Sequence, residues 1–435
     1  MKKIFAILLL CGSVVLAAEV NYDEAKVPSY TLPDPLVCLD GMRVQSVSDW
    51  ETKRRPEILK LFRDQMYGYL PEILARAGNH PDFVKFEVAE QGNDALGGTA
   101  IRKQVVITFT HPDRPGKCVK AHLLIYLPKN ATGPVPVFLG CNFLGNHTIT
   151  TEKEIFLFHL RNGSVITEET ALQGNEVRGG RICRWDVPAI LKRGYGLATL
   201  HYIDVAKDSL RDCFTSGIFD LYGKATDEAS RGDTEWGAIT AWAWGLSRAM
   251  DYLETDRQID ASRVAVMGHS RLGKTALWAG ATDPRFAITI SNDSGCGGAA
   301  LSRREYGETI QIMSGGLRYW FCRNFQKYGP CVDTFGIDQH ELIALMAPRP
   351  VYVASAEEDR WADPKGEYLS CLYAVPVYRL YGISEPFGGR TEAELPKQNT
   401  QVGGVIGYHI RTGVHDVTPL DWEMYLNFAD RHFRK

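Results

Sequence analysis

The chain has 435 residues, with 49 basic and 52 acidic side chains for a formal charge of −3, 45% hydrophobic and 11% aromatic residues, and ten cysteines. That composition excludes a disordered or collagen-like chain, and the near-balance of charge offers no basic field for non-specific nucleic-acid binding. At about 150 residues per domain the length permits two or three domains, so composition leaves the count open.

The first residues read as an export signal. Lys2 and Lys3 precede an apolar run at 4–16 that ends in Ala17 and Ala18 before Glu19. A positive start, a short apolar stretch and small residues at its end are what a cleaved secretory signal needs, and the run is short for a membrane span. Lipidation at Cys11 is a weaker reading because Leu10 stands where a small residue is expected, and a buried N-terminal helix is the structural alternative. No later stretch has 18 unbroken apolar residues. The expectation is a signal peptide at 1–18 cut near Ala17/Ala18, and a mature protein in the periplasm or outside the cell with no membrane span.

Export bears on the cysteines. Losing Cys11 leaves nine, an odd number, so at least one thiol stays unpaired. No C-x-x-C pair or close His/Cys cluster suggests a zinc site, and no metal or other cofactor is expected. Cys322 and Cys331 bracket a short loop and are the best local candidates for a bridge, beside the plainer reading of ordinary buried cysteines.

Residues 20–98, rich in proline and polar side chains, read as an N-terminal wrap without a domain boundary. Short apolar, β-branched runs then predict strands at 105–109, 123–127, 135–139, 196–202, 264–267, 287–290, 351–354 and 407–410. Between the later ones, helical patterns fall at 185–193, 234–253, 272–281, 339–346, 365–380 and 418–433. Strands alternating with helices argue for βαβ units, and the closely spaced early strands suggest an antiparallel start. The expected fold is one α/β domain over 19–435, with a mixed, mostly parallel central sheet and helices on both faces.

At 263–278 a β-branched strand runs into Gly268-His269-Ser270-Arg271-Leu272-Gly273-Lys274 and directly into a helix. This is the layout of a nucleophile elbow, in which a sharp strand-to-helix turn lifts a serine oxygen out of the sheet. Gly268 removes a side chain from the turn, Gly273 lets helix and sheet approach closely, and the helix N-terminus adds N–H donors where an oxyanion would form. The sequence departs from G-x-S-x-G, since Leu272 takes the second glycine's place and Gly273 follows it.

A serine of ordinary acidity needs a base, and the base an orienting acid. In the α/β-hydrolase order the acid and then the histidine follow the serine. His409 lies inside an apolar strand and reads as a satisfied strand histidine, whereas His415 lies in the loop before the last helix and is the expected base. Two acids compete. Asp359 follows the penultimate strand and Asp293 the strand before it, and both would sit at the carboxyl edge of the sheet.

Four stretches together carry a resemblance: Gly268-His269-Ser270-Arg271-Leu272-Gly273-Lys274, Ser294-Gly295-Cys296-Gly297-Gly298-Ala299-Ala300, Asp338-Gln339-His340 with Ala347-Pro348-Arg349, and Trp361-Ala362-Asp363-Pro364. The chain from about 134 to its end resembles the glucuronoyl esterases of carbohydrate esterase family 15, in their bacterial branch. The resemblance implies an α/β-hydrolase three-layer sandwich and a cofactor-free serine esterase. It also implies a substrate: esters between (4-O-methyl-)glucuronic acid on glucuronoxylan and alcohols, including those of lignin.

Carried over by position, Ser270 corresponds to the nucleophile and His415 to the base. The acid of fungal members corresponds to Asp293, one methylene shorter than their glutamate, and the loop used by some bacterial members offers Asp359. Asp359 is therefore preferred, with Asp293 as a second contributor. Arg271 corresponds to the oxyanion-stabilising arginine, and Lys274, Glu308 and Trp361 to residues holding the uronate. An Arg and a Lys beside the nucleophile also suit an oxyanion and an acidic product on chemical grounds, Glu308 can accept from sugar hydroxyls, and Trp361 offers an aromatic face.

Fungal members flank Ser and His with bridging cysteines; here His269 and Asp416 stand there, so packing must constrain the site. The stretch 144–184, without a clear strand, is expected as a loop insertion that deepens the cleft. Two other functions compete: an exported acetylxylan or other carbohydrate esterase on the same fold, and a non-catalytic carbohydrate-binding protein.

Overall fold

The computed structural model describes residues 20–77, 82–157, 177–393 and 395–434. The expected signal at 1–18 and part of the expected insertion, 158–176, lie outside these residues.

Ten strands form one sheet among the described residues: β1 (Val84–Asp94), β2 (Ala100–Thr110), β3 (Cys118–Pro128), β4 (Val135–Asn142), β5 (Gly196–His201), β6 (Ile259–His269), β7 (Ile288–Asn292), β8 (Val351–Ala356), β9 (Val402–Gly403) and β10 (Ile406–Arg411). Their spatial order is β1-β2-β3-β5-β4-β6-β7-β8-β10-β9. From β5 to β10 every pairing is parallel, whereas β1, β2, β3 and β9 pair antiparallel. The mixed, mostly parallel sheet is as expected, and so is its antiparallel start.

The parallel strands are short apolar runs because both their faces are covered. On β6, Val264 and Val266 enter one core, and Ala265 and Met267 the other; on β8, Val351 and Val353 divide from Tyr352 and Ala354 in the same way. The outer layers include, among the described residues, the helices α1 (Val187–Lys192), α2 (Ala238–Thr255), α3 (Arg271–Thr282), α4 (Gln339–Ala344), α5 (Pro364–Leu380) and α6 (Pro419–Phe433). The first core packs α2, α3, α4 and α5, and the second packs α1 and α6. Each of these six overlaps an expected helix, and α6 starts at a capping box formed by Thr418 and Asp421.

The stretch read as a wrap contains more order than its composition announces. β1 lies inside it as an edge strand, with Glu87, Val88 and Ala89 exposed and a register shift between Val88 and Glu90. Its polar face hid the alternation that marks a half-buried strand. Residues 47–67 are helical with two π-helical stretches, Trp50–Arg54 and Arg63–Tyr67. Trp50, Ile58, Phe62 and Tyr67 are fully buried in the first core, and the Tyr67 ring stacks on Trp278 of α3 at 4.3 Å. The segment therefore buttresses the helix that follows the elbow.

The bridge considered between Cys322 and Cys331 does not form: all nine described cysteines are free. Cys322 is buried with its Sγ 3.9 Å from the Asp64 carbonyl, Cys331 is exposed, and a turn of helix, Arg323–Tyr328, separates them. Among the described residues no helix is long and apolar enough to cross a membrane.

Candidate active site

Four neighbouring parallel strands, β6, β7, β8 and β10, end at one edge of the sheet. The loops that follow them carry, in order, Ser270, Asp293, Asp359 and His415. The turn after β6 is sharp. Ser270 takes φ +58° and ψ −131°, a left-handed backbone that a non-glycine residue adopts only when its surroundings impose it. A Cβ on residue 268 would lie 1.9 Å from the Leu272 carbonyl oxygen, so only glycine fits there. At Gly273 a Cβ would meet Ser294 at 3.0 Å and Ser291 at 3.1 Å, the close helix-to-sheet approach its position suggested. Leu272 fills the first core instead of serving the turn.

His415 stands in the loop after β10 with 39% of its side chain exposed, and its Nδ1 lies 2.5 Å from Asp359 Oδ2. Asp293 is also close, since one donor atom from each of Asp293, Asp359 and His415 lies within 4.8 Å of the other two. Its situation differs. Asp293 is buried, neither carboxyl oxygen has a hydrogen-bond partner among the described residues, and Arg411 Nη2 lies 3.6 Å from Oδ2. Burial pushes its carboxyl well above the ordinary range, and the charges of Glu367 and Asp359 push the same way. The trio has a metal-ligand composition, but the Nδ1 facing Asp359 is the hydrogen-bonding nitrogen and would have to give up that bond to ligate a cation.

A cavity of about 380 Å3 opens over this edge, and all eight residues singled out in the sequence line it: Ser270, Arg271, Lys274, Asp293, Glu308, Asp359, Trp361 and His415. Three larger hollows, of about 390, 500 and 730 Å3, contain none of them, so the smaller cavity is the candidate on chemistry and not on size. Lys274 is buried and gives its N–H bonds to Ser294 O (2.6 Å), Cys296 O (2.6 Å) and Glu308 Oε2 (2.7 Å). An ammonium has three donors, so the lysine's direct effect is to hold Glu308 and the 294–296 turn. Glu308 also accepts from Trp361 Nε1 at 3.2 Å, and Trp361 keeps 38% of its surface exposed. Arg271 donates from Nη1 to the buried Asp208 and lies over the Trp320 ring at 4.8 Å. Burial works against its charge, and Asp208 with the Tyr202 hydroxyl outweighs that, raising its pKa.

The family model described as "Glucuronyl esterase, fungi" matches residues 182–382. The chain is 48% identical over 418 residues to Carbohydrate esterase MZ0003 from an unknown prokaryotic organism, covering 95% of this chain and 92% of that one. It belongs to carbohydrate esterase family 15. Among solved structures it is similar to a glucuronoyl esterase from Solibacter usitatus at 44% identity and a TM-score of 0.84, with 94% of this chain and all of that one covered. It is also similar to a promiscuous family 15 esterase from a marine bacterial metagenome, at 48% identity and a TM-score of 0.82, covering 95% of this chain and 100% of that one. The α/β-hydrolase fold follows from the same comparison.

Several residues of this family 15 esterase carried no sequence signal. Glu367, in the first turn of α5, is fully buried and accepts from Ser294 N (2.8 Å) and Gly295 N (3.0 Å), fixing the loop beside Asp293. Burial pushes its carboxyl up to about 8. Asp208 and Trp320 come from stretches without a motif. His269 and Asp416, the neighbours of Ser270 and His415 in the chain, have different tasks. The His269 ring centroid lies 4.3 Å from that of His415, with Nδ1 2.5 Å from Asn292 Oδ1. Burial and the neighbouring His415 hold its imidazole well below the ordinary range, and the two rings meet at a tilt of 40°. Asp416 pairs with Arg184 Nε at 2.5 Å, which ties the His415 loop to the end of the 144–184 segment.

Proposed function

We propose that this esterase hydrolyses esters of (4-O-methyl-)glucuronic acid on glucuronoxylan, lignin–carbohydrate esters among them, through Ser270, His415 and Asp359. The observation that carries the reading is one cavity with Ser270, Arg271 and the His415–Asp359 pair beside the Lys274–Glu308–Trp361 chain. His415 Nε2 takes the Ser270 proton as Oγ attacks the ester carbonyl, and Asp359 holds the imidazole in the tautomer that leaves Nε2 free to accept. Arg271 stabilises the oxyanion of the tetrahedral intermediate. The intermediate collapses to a Ser270–uronoyl ester as His415 returns the proton to the departing alcohol; water then attacks by the same route and releases the uronate. Glu308 accepts from sugar hydroxyls and Trp361 lies along the ring. Asp293, whose carboxyl burial pushes well above the ordinary range, is a neighbour of the acid and not its equal. No step requires a cofactor.

In this reading residues 1–18 are a secretory signal, and 19–435 form one domain that works in the periplasm or outside the cell. A second reading, a carbohydrate esterase of broader choice, is favoured by one observation: Lys274 spends its donors inside the protein, which leaves Glu308 and Trp361 to select the uronate. The test is hydrolysis of benzyl and methyl glucuronate beside acetylated xylo-oligosaccharide. Uronate ester turnover that vanishes in Ser270→Ala supports the first reading, and faster deacetylation by the intact enzyme supports the second. Absence of any turnover, with Ser270 unlabelled by a fluorophosphonate, would mean a binding protein.

A further inference from the structure

We propose that Asp208 is a positioning residue for this reaction, one that sets the Arg271 guanidinium and the Trp320 ring as a single preformed wall of the cavity. The inference rests on the proposed role of Arg271 at the oxyanion. The Asp208 side chain is fully buried. Its Oδ1 accepts from Tyr319 Oη (2.5 Å) and Trp320 Nε1 (2.8 Å), and its Oδ2 from Tyr202 Oη (2.8 Å) and Arg271 Nη1. A carboxylate offers about four lone-pair directions, so these donors share it closely and each constrains the place of the others.

The donors come from three separate parts of the chain: the residue that follows β5, the turn Arg318–Trp320 and the first residue of α3. Arg271 has no other hydrogen-bond acceptor among the described residues; its remaining contacts are the ring faces of Trp320 and Phe143, at 4.8 and 5.6 Å. Ring faces restrain a guanidinium in one direction only, and a long side chain so held samples several rotamers. A donor that meets its charge only in the transition state accelerates the reaction to the extent that it is in place beforehand. Asp208 supplies that placement, and its negative charge favours a partly buried cation there before any oxyanion exists.

The test is a double-mutant cycle on glucuronate benzyl ester hydrolysis, with kcat, KM and thermal midpoint measured for the wild type, Asp208→Asn, Arg271→Ala and the double variant. Arg271→Ala is expected to lose about 10²–10³-fold in kcat. Asp208→Asn is expected to lose about 10–100-fold in kcat with KM changed by less than about threefold, and to cost less than about threefold more once Arg271 is gone. Equal factors in both backgrounds would mean a structural role independent of Arg271 and would overturn the proposal, as would wild-type kcat in Asp208→Asn. If Asp208→Asn does not fold, Tyr319→Phe removes one donor; a loss of about 3–10-fold that vanishes in the Arg271→Ala background supports the proposal, and a loss of the same factor in both overturns it. Wild-type kcat in Arg271→Ala would instead refute the role of Arg271 itself, an outcome distinct from failure of the Asp208 coupling.

Discussion

Two histidine–aspartate pairs stand near the C-terminus, one on β10 and one in the loop that follows it. His409 and Asp421 are both fully buried and lie 2.9 Å apart, with Tyr352 Oη 2.8 Å from the other ring nitrogen and Arg411 Nε 2.8 Å from the other carboxyl oxygen. His415 and Asp359 lie 2.5 Å apart, but that imidazole is 39% exposed and lines the cavity that holds Ser270. The chemistry of the two pairs is the same and their surroundings are not. Where both imidazole nitrogens are engaged and water is excluded, the pair staples α6 to the sheet. Where one nitrogen faces a cavity, the same pair can take and return a proton.

Exchanging the two roles by mutation is the direct way to break this contrast. His415→Ala is expected to lower kcat by roughly 10⁴-fold while leaving the thermal midpoint close to wild type, since an exposed loop residue holds little structure. A tenfold loss or less would remove His415 as the base. Next in size, Asp359→Asn is expected to lose about 10²–10⁴-fold in kcat and Asp293→Asn less than about tenfold, because only Asp359 touches the imidazole. Equal, mild losses in single-turnover rates would mean that the two carboxyls share the role.

His409→Ala should behave in the opposite way. Removing one partner of a buried pair leaves Asp421 and the Tyr352 hydroxyl short of contacts, and a loss of about 3 kcal/mol in urea unfolding is expected, with kcat of the folded protein within about threefold of wild type. A stable but inactive His409→Ala would erase the distinction. The smallest effect concerns pH. Glu367 has an ordinary value of 4.5 and is raised to about 8 by burial. The folded state therefore keeps a proton that the unfolded chain releases between those values, and this group's contribution to stability falls as pH rises through that window. Glu367→Gln should flatten the decline of the urea midpoint between pH 5 and pH 8 relative to wild type, and an unchanged slope would show that Glu367 is ionised when folded.

Much of the core of the fold was legible because its pattern is local. Val264 to Met267 alternate between two cores, and a strand covered on both faces must be apolar throughout. The elbow was legible for a similar reason, since Gly268 and Ser270 sit within one turn whose geometry admits little else. β1 and the helical stretch at 47–67 escaped notice, the first because an exposed edge strand can be polar, the second because its π-helical turns shift the apolar spacing away from the ordinary period. Among the site residues, Asp208, Trp320 and Glu367 were invisible for another cause. Each acts on a partner far along the chain, and a lone buried carboxylate has no local signature.

Residue order alone pointed to the side chains that could do the chemistry and, through the elbow and the order of strands, to the edge of the sheet that would gather them. It also left open two choices, Asp359 against Asp293 and bridged against free cysteines at 322 and 331. Assembly of the fold settled the rest: which carboxyl lies against His415, that Lys274 turns its charge inward to Glu308 and the 294–296 turn, and that the His269 ring packs at a tilt against His415. Local pattern fixes backbone and burial, but hydrogen-bond pairing between loops depends on where separate strands end relative to one another, and that register exists only once the sheet is assembled.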